Sequence, residues 1–405
     1  MIFDRLARTT GYSSVEDSAG GLQLYGMPPA GVPVTEKTAL KFSTFWCCYK
    51  VVTESTMILP WGVFETLDDG RRQAPENPVD SLLRRQPNPE MPAYSFKSTI
   101  LGHALLKGNG YAEIERTRGG VPIALWLLDP GRVTPERDSQ NRFYYKVRND
   151  RGSEVSIPAD DMFHLRGPSY DGLVGLSVIA CARDSVSAAQ AAERYGATFF
   201  GNGAVPGGII QHAVDSKLTR MTGDTLDNFY KSWEERLKGS GKNSKVMYLD
   251  PGLTYKQISI EPDDAQFIET RKLSVPDICR WFRVPPHKVM DLEKATFSNI
   301  EQQSKEFVED AIVPWVKRLE EEANLKLLDG NFYSKFSVQA LLRGDSQARG
   351  EYYQKMLDRG VFTINDVLRM EDMNGIGENG DVRMVPLNMT TLERLGEDNA
   401  TNMGN

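Results

Sequence analysis

The strongest constraint on this chain lies between Ala295 and Leu328, a single long helical pattern with a proline near its midpoint. Ser298 and Glu301 form a capping box at its start, where the hydroxyl takes the N3 amide and the carboxylate reaches back to the cap amide. Ile300, Phe307, Ile312, Trp315, Val316, Leu319, Ala323 and Leu327 then recur at roughly helical spacing, with charged residues between them. Pro314 has no N–H to give the Asp310 carbonyl one turn back, which predicts a kink there. A kinked helix of this length reads as an architectural part of a machine rather than the frame of a catalytic domain.

At 405 residues the chain exceeds the usual size of one hydrophobic core, so two or more units are expected. Apolar residues make up 40% and charged residues 25%, the balance of a folded, soluble protein. No window approaches the roughly 18 uninterrupted apolar residues of a membrane span, and Met1–Gly20 lacks the apolar run of a signal peptide. Four cysteines do not make a disulfide framework, which leaves a cytoplasmic setting as the expectation. The net charge of −7 argues against a protein that grips nucleic acid over its whole surface, because phosphate neutralisation calls for excess Lys and Arg.

Residues 1–35, rich in Gly, Pro and Ser, read as a flexible arm. Thr35–Leu59 reads as a helix stopped by Pro60, and 68–93 as a polar connection with a helical piece near Val79–Arg85. Tyr94–Leu106 is a second helix, ended by Lys107-Gly-Asn-Gly. From Tyr111 to Leu165 the period becomes that of strands: Tyr111–Arg116, a buried run Ile123–Leu128, Phe143–Val147 and Glu154–Ile157 about a turn at Asn149, and Met162–Leu165. This is a small, mostly antiparallel β unit. Leu176–Asn202 is a long alanine-rich helix suited to close packing. Between Val205 and Ser259 lies an insertion with strands at Gly208–His212, Val246–Leu249 and Thr254–Ile258 and a helix near Lys217–Leu237. Pro262–Phe282 is helical, Pro285–Phe297 is a loop, two helices fall within 345–387, and 388–405 is a flexible tail. The fold class is α+β.

Candidate chemistry is sparse. His103, His164, His212 and His287 are far apart, and none stands at metal-ligand spacing with another His or Cys. Cys47-Cys48 fits a helix stripe as two small core residues. Asp263-Asp264 after Pro262 complements a helix N-terminus more simply than it makes an acid–base pair. Gly239-Ser-Gly-Lys within Lys238–Lys245 fails the phosphate-loop pattern: Arg236 occupies the first glycine position and no Ser or Thr follows Lys242. Asp372–Asp381 has Asp372, Asn374 and Gly377 at calcium-loop spacing, but Ile376 stands at a ligand position and Arg383 replaces the terminal glutamate. The expectation is no enzyme, no metal and no cofactor. A metal-dependent nuclease or NTPase of a packaging system is the alternative, and it would need a convergent carboxylate set.

In order and over nearly the whole chain, from about residue 36 to 388, several strings together make a resemblance. They are Gly108-Asn-Gly-Tyr-Ala-Glu-Ile with the strand Pro122–Pro130, His164-Leu-Arg with Gly172-Leu-Val-Gly-Leu-Ser, and Phe199-Phe-Gly-Asn-Gly-Ala-Val-Pro-Gly-Gly-Ile. Val284-Pro-Pro-His and Ala295-Thr-Phe-Ser-Asn-Ile-Glu-Gln follow. The chain resembles the portal proteins of tailed bacteriophages of the Hong Kong 97 type. That resemblance implies a dodecameric ring at one vertex of the viral shell, a channel through which double-stranded DNA is packaged and ejected. By position it implies a wing over 36–175, stem helices over 176–204 and 260–284, and a clip over 205–259 between them. A tunnel loop over 285–297, a kinked tunnel helix with a return to the wing over 298–344, and a crown over 345–387 complete it. Implied partners are further copies of the chain, the DNA, the terminase large subunit, a head–tail adaptor, and major capsid and scaffold proteins, with no membrane. The implied setting is the virion after assembly in the host cytoplasm. Within the loop, His287, Lys288, Lys294 and Thr296 are candidates to face DNA, although Thr296 and Ser298 suit capping, and loop lysines are often merely solvated. An acidic protein suits a conduit through which phosphates must slide. A shorter ring-forming adaptor would lack a module inserted between two helices.

Overall fold

The computed structural model describes residues 28–68, 70–149, 152–201, 208–212, 223, 227, 231, 253–257, 274–293, 297–338, 346–371 and 373–384. Of these, 199–201, 208–212, 253, 255–257, 297–299, 301 and 346–348 are described by backbone alone. The fold is α+β, and the chain divides into two compact units, Met1–Phe336 and Ser337–Asn405. Among the described residues no helix is long and apolar enough to cross a membrane.

The single helix expected over Thr35–Leu59 is two. Glu36–Ala39 (α1) is closed by a reciprocal Thr35–Thr38 capping box, and Ser43–Met57 (α2) follows a break at Leu40–Phe42. The polar connection expected next contains a hairpin that periodicity did not disclose, Trp61–Leu67 (β1) and Gly70–Gln73 (β2). Pro78–Arg84 (α3) begins on Asn77, whose side chain accepts the Val79 amide. Ala93–Lys107 (α4) ends at Gly108, whose φ of 80° is the left-handed stop that a glycine supplies. Lys97 on α4 runs back under α2 and donates to the Met57 and Leu59 carbonyls at 2.9 and 3.1 Å. It thus serves carbonyls at the end of α2 that have no helical partner. Burial pushes its pKa down to about 8.

The β unit is two three-stranded antiparallel sheets. Asn109–Arg116 (β3) lies between Pro122–Leu128 (β4) and Met162–Arg166 (β8), while Phe143–Arg148 (β6) lies between Val133–Arg137 (β5) and Glu154–Pro158 (β7). Tyr111, Val133, Tyr145, Ile157 and Met162 fill one core between them. Along β4 Pro122 and Ala124 are buried on one face while Ile123 between them is 48% exposed on the other, so the run Ile123–Leu128 is not wholly buried.

A buried polar network ties this unit together. The Asn109 amide donates to Gly175 O at 3.0 Å, and its Oδ1 accepts the Gly175 N–H at 2.8 Å, which fixes its orientation. Oδ1 therefore accepts His164 Nε2–H at 2.9 Å, leaving Nδ1 to accept the Tyr145 hydroxyl at 2.9 Å. Burial, then the nearby Arg166 and Lys326 charges, holds the His164 ring neutral far below its usual range. The His164 amide and the Arg166 guanidinium donate to the two oxygens of Glu322 at 3.0 and 3.3 Å. A Cβ on Gly175 would overlap the Gly108 carbonyl, so the close approach of these two loops requires glycine.

Beyond the β unit the long helix expected over Leu176–Asn202 is broken at Ala182, into Val178–Cys181 (α5) and Arg183–Gly201 (α6). Gly208–His212 (β9) pairs antiparallel with Leu253–Gln257 (β10), Leu253 opposite His212, so the inserted module's two ends lie side by side. The expected helix near Lys217–Leu237, the strand Val246–Leu249 and Asp263-Asp264 lie outside the described residues, except for isolated positions of the helix. Residues 274–282 (α7) are helical and pack on α2, with Phe282 edge-on to Phe45 at a centroid distance of 4.9 Å.

The long helix runs Phe297–Glu306 (α8), a π-helical stretch Phe307–Ile312, and Val313–Lys326 (α9). Phe307, Val308, Ala311, Ile312, Trp315, Val316, Leu319, Ala323 and Leu327 are buried, nearly the expected stripe. Phe332–Phe336 (β11), also unexpected, returns to pair with β1, and Trp61 stacks on Phe336 at 4.6 Å. α9 covers the other edge of β11: Glu320 Oε1 accepts the Phe336 amide at 2.7 Å and Asn324 Oδ1 the Ser334 amide at 2.6 Å.

In the second unit Ser346–Asp358 (α10) and Ile364–Met370 (α11) are the two helices expected over 345–387. Thr363 and Asp366 form a capping box. The Asn365 amide donates to Gly377 O and accepts the Ile376 amide, at 2.8 and 2.9 Å, and so organises the segment that mimics a calcium loop.

Candidate functional site

α7 ends in a six-residue stop in which the Val284 amide donates to Cys279 O at 3.0 Å and the Arg283 amide to Arg280 O at 3.2 Å. The left-handed position of such a stop usually holds glycine; here Arg283 occupies it with φ 54°. Non-glycine residues are uncommon in that region, and the strain asks for a reason. The reason lies across the fold, where Arg283 Nη1 donates to Asp310 O at 3.2 Å. Asp310 is the residue whose carbonyl Pro314 leaves without a helical partner.

Where the sequence predicts a kink at Pro314, the long helix is π-helical over Phe307–Ile312, immediately before the proline. The Val313 amide reaches back five residues to Val308 O, and Pro314 lies in the first turn of α9, where its missing N–H is tolerated. A widened turn moves the Asp310 carbonyl away from the proline ring, with which it would clash in a regular helix.

After Arg283 the chain passes Pro285 into a 3₁₀ turn, Pro286–Val289, which is closed by Met290 at φ 66°. His287 and Lys288, both expected in a channel loop, are anchored to the long helix instead of standing free. His287 Nδ1 lies 3.0 Å from Gln303 Oε1, and Ser304 Oγ lies 3.4 Å from Nε2. With the amide oxygen facing the ring, Nδ1 donates and Nε2 accepts. Lys288 Nζ sits 5.7 Å from the centre of the Phe307 ring, a cation–π contact on the π turn itself. Met290 and Leu292 are 85% and 59% exposed, so apolar side chains stand outward where the loop leaves its anchors. Lys294 and Thr296 lie outside the described residues. α8 begins at Phe297, which puts Ser298 and Glu301 in its opening residues, and their side chains are not among those described.

Between α7 and the π turn is a groove of 720 Å³, bordered by Cys279, Arg280, Arg283, Pro285, Phe307 and Asp310. The residues that sequence reasoning missed are Arg283, Gln303 and Ser304. The proline signalled that Asp310 needed a donor, but no local pattern named one 27 residues away. Among the described residues no three His, Cys, Asp or Glu side chains gather in a way that could hold a metal ion.

A family model described as phage portal protein matches residues 43–372. The chain belongs to the phage portal protein family. It is 30% identical over 371 residues to the portal protein of Enterobacteria phage HK97, covering 90% of this chain and 86% of that one. It is 28% identical over 388 residues to a probable portal protein of Streptomyces phage phiC31, covering 91% and 82%. Among solved structures, a HK97-family phage portal protein from Corynebacterium diphtheriae superposes with a TM-score of 0.59 at 15% identity, covering 78% of this chain and 99% of that one. A chain from the neck of a native gene transfer agent particle, computed with C12 symmetry, superposes at 0.56 and 20% identity, covering 84% and 92%. The portal fold thus extends over most of the chain. The nuclease or NTPase alternative receives no support from these likenesses.

Proposed function

We propose that this portal-family chain is one subunit of a twelve-membered ring at a capsid vertex, through which double-stranded DNA is packaged and later ejected. The observation that carries the reading is the family match over residues 43–372, from the first residue of α2 to just past α11. The likeness to a particle neck computed with C12 symmetry supports the subunit count. In this reading residues 36–175 are the wing, 176–204 and 260–284 the stem and 205–259 the clip. Residues 285–297 are the tunnel loop, 298–344 the tunnel helix and its return, and 345–387 the crown. The clip meets the terminase large subunit during packaging and the head–tail adaptor afterwards, while major capsid and scaffold proteins surround the ring. The chain assembles in the host cytoplasm and ends in the virion. Its own role is structural, and ATP hydrolysis belongs to the separate motor.

His287 and Lys288 act in this reading as anchors of the tunnel loop on α8 and the π turn, which leaves Met290, Leu292, Lys294 and Thr296 as the part offered to DNA. The experiment is electron microscopy of the purified chain, classified by symmetry. Rings with a central hole and twelvefold symmetry are expected, and a preparation that stays monomeric or forms open filaments at every concentration would overturn the reading.

A further inference from the structure

α2 and α7 cross with their residues in step. Phe45 meets Phe282, and one turn onward in α2 and one turn back in α7 Cys48 Sγ lies 3.8 Å from Cys279 Sγ, a contact between residues 231 positions apart. Both thiols are free and buried, but they are not equivalent. Cys279 borders the 720 Å³ groove beside Arg280, Arg283 and Phe307, whereas Cys48 lies behind it with no surface of its own. We propose that Cys48 and Cys279 are a dithiol oxidation site, at which a small-molecule disulfide entering the groove converts the pair into an intrachain disulfide that fastens α7, and the loop beginning at Arg283, to α2.

The two sulfurs divide the chemistry between them. The Cys48 thiol donates to the Cys279 sulfur, which draws the Cys279 pKa down, while the same bond and burial push Cys48 up. The thiolate therefore forms on Cys279, the residue of the pair that borders the groove. It attacks one sulfur of the incoming disulfide, forming a mixed disulfide on Cys279 and releasing one thiolate. The Cys48 sulfur then attacks the Cys279 sulfur as its proton passes to the released thiolate, and the second group leaves as a thiolate that takes back from water the proton Cys279 gave up. Two protein thiols lose two electrons and the reagent gains them, leaving two small thiols. The sulfurs must close from 3.8 Å to about 2.05 Å, a movement of side-chain scale. Arg280 and Arg283 at the rim stand against Glu306 and Asp310, and Arg280 also pairs with Asp277, so the groove's charges balance and oxidised glutathione serves as the probe disulfide. The site rests on the packing of α2 against α7 and stands or falls independently of the channel reading.

The test treats the folded full-length chain with oxidised glutathione, alkylates remaining thiols, and maps peptides by mass spectrometry without reduction. A Cys47→Ser variant is run alongside, because Cys47 and Cys48 are adjacent. Expected is a cross-linked pair of peptides containing residues 48 and 279, lighter by two hydrogens, in both proteins, with Cys181 alkylated. Cys48→Ser is expected to stop at a glutathionyl adduct on Cys279, and Cys279→Ser to leave Cys48 unmodified, with circular dichroism confirming that each variant is folded. Two packed core residues and nothing more would leave four free thiols, all alkylated once the treated chain is denatured. That result, a cross-link formed only in denaturant, or one made through Cys47 would overturn the proposal.

Discussion

Arg283 combines a left-handed backbone with a hydrogen bond that only a long donor supplies, and the two effects separate by substitution. Arg283→Met keeps the strained φ and loses the bond to Asp310 O, whereas Arg283→Gly loses the bond and removes the strain. The bond is solvent-exposed, so its net worth is about 0.5–1 kcal/mol, and left-handed strain on a non-glycine residue is about 1–2 kcal/mol. Denaturant unfolding is expected to place the methionine variant about 1 kcal/mol below the parent and the glycine variant at or above it. A glycine variant less stable than the methionine one would show that backbone entropy, not strain, governs the site. His164 works at the same scale. Its ring is neutral in the fold and takes up a proton on unfolding near its ordinary value of 6.5. The unfolded state thus binds more protons below that value, and stability falls as pH drops through 6.5, by at most about 1.4 kcal/mol per pH unit for this one group. Glu322, whose carboxyl burial pushes upward, acts with the opposite sign above its own ordinary value of 4.5. Unfolding midpoints measured from pH 7.5 to 5 are expected to slope downward, and His164→Asn to flatten that slope while lowering stability throughout. An unchanged slope would place the proton elsewhere.

The element that sets the geometry of the candidate site is the π turn, and two causes for it are separable. Pro314 removes one helical bond and crowds the Asp310 carbonyl, while burial of Phe307 and Ile312 pulls the widened turn onto α2. Pro314→Ala supplies an N–H that competes with Arg283 for Asp310 O. A structure of this variant is expected to show residues 307–312 returned to α-helical bonding and the Arg283 bond lost; a retained π turn would assign the cause to packing. Pro314 marked this stretch of the helix as the place for a kink because proline chemistry is local, but nothing local signalled a π turn, which depends on what the flanking side chains meet. The same division runs through the fold. α2, α4 and α9 were legible because their apolar stripes repeat at helical spacing, and Gly108 because a left-handed stop selects glycine. β1, β2 and β11 were missed: they are short, and β1 meets β11 only through a register, Trp61 opposite Phe336, that spans most of the chain. Ile123 was read as buried because a continuous apolar run does not reveal which face of its strand is covered. The breaks at Leu40–Phe42 and Ala182 lie inside good helical patterns, where periodicity gives no sign of them. Of the site, His287 and Lys288 were legible as loop residues, but their anchoring to Gln303, Ser304 and Phe307 was not. The strings that carried the family resemblance do have a physical meeting point: Asn109 of the first bonds His164 and Gly175 of the second.

At the scale of the molecule, the chain carries a net charge of −7 and a loop whose cation nearest its anchor is spent on the Phe307 ring. What that loop offers outward is apolar, Met290 and Leu292. Single exposed apolar residues are ordinary on protein surfaces, so the pair carries meaning only if a task depends on it. Apolar side chains make a surface over which a polyanion slides without trapping, whereas lysines would exchange counterions with each phosphate and hold it. If the loop is the channel's inner lip, Met290→Ser with Leu292→Ser touches DNA passage and nothing else. The anchors at His287 and Lys288 remain, no buried contact is removed, and unfolding free energy is expected to stay within about 0.5 kcal/mol of the parent. Ring symmetry by electron microscopy is expected to be unchanged, while particles assembled with the variant retain less DNA and give fewer infectious virions. Lysine at both positions is expected to slow packaging further in low salt and recover partly as salt rises, because screening weakens attraction to phosphate. Full virion yield from both variants would remove residues 285–297 from the DNA path and leave the portal assignment to rest on the ring alone.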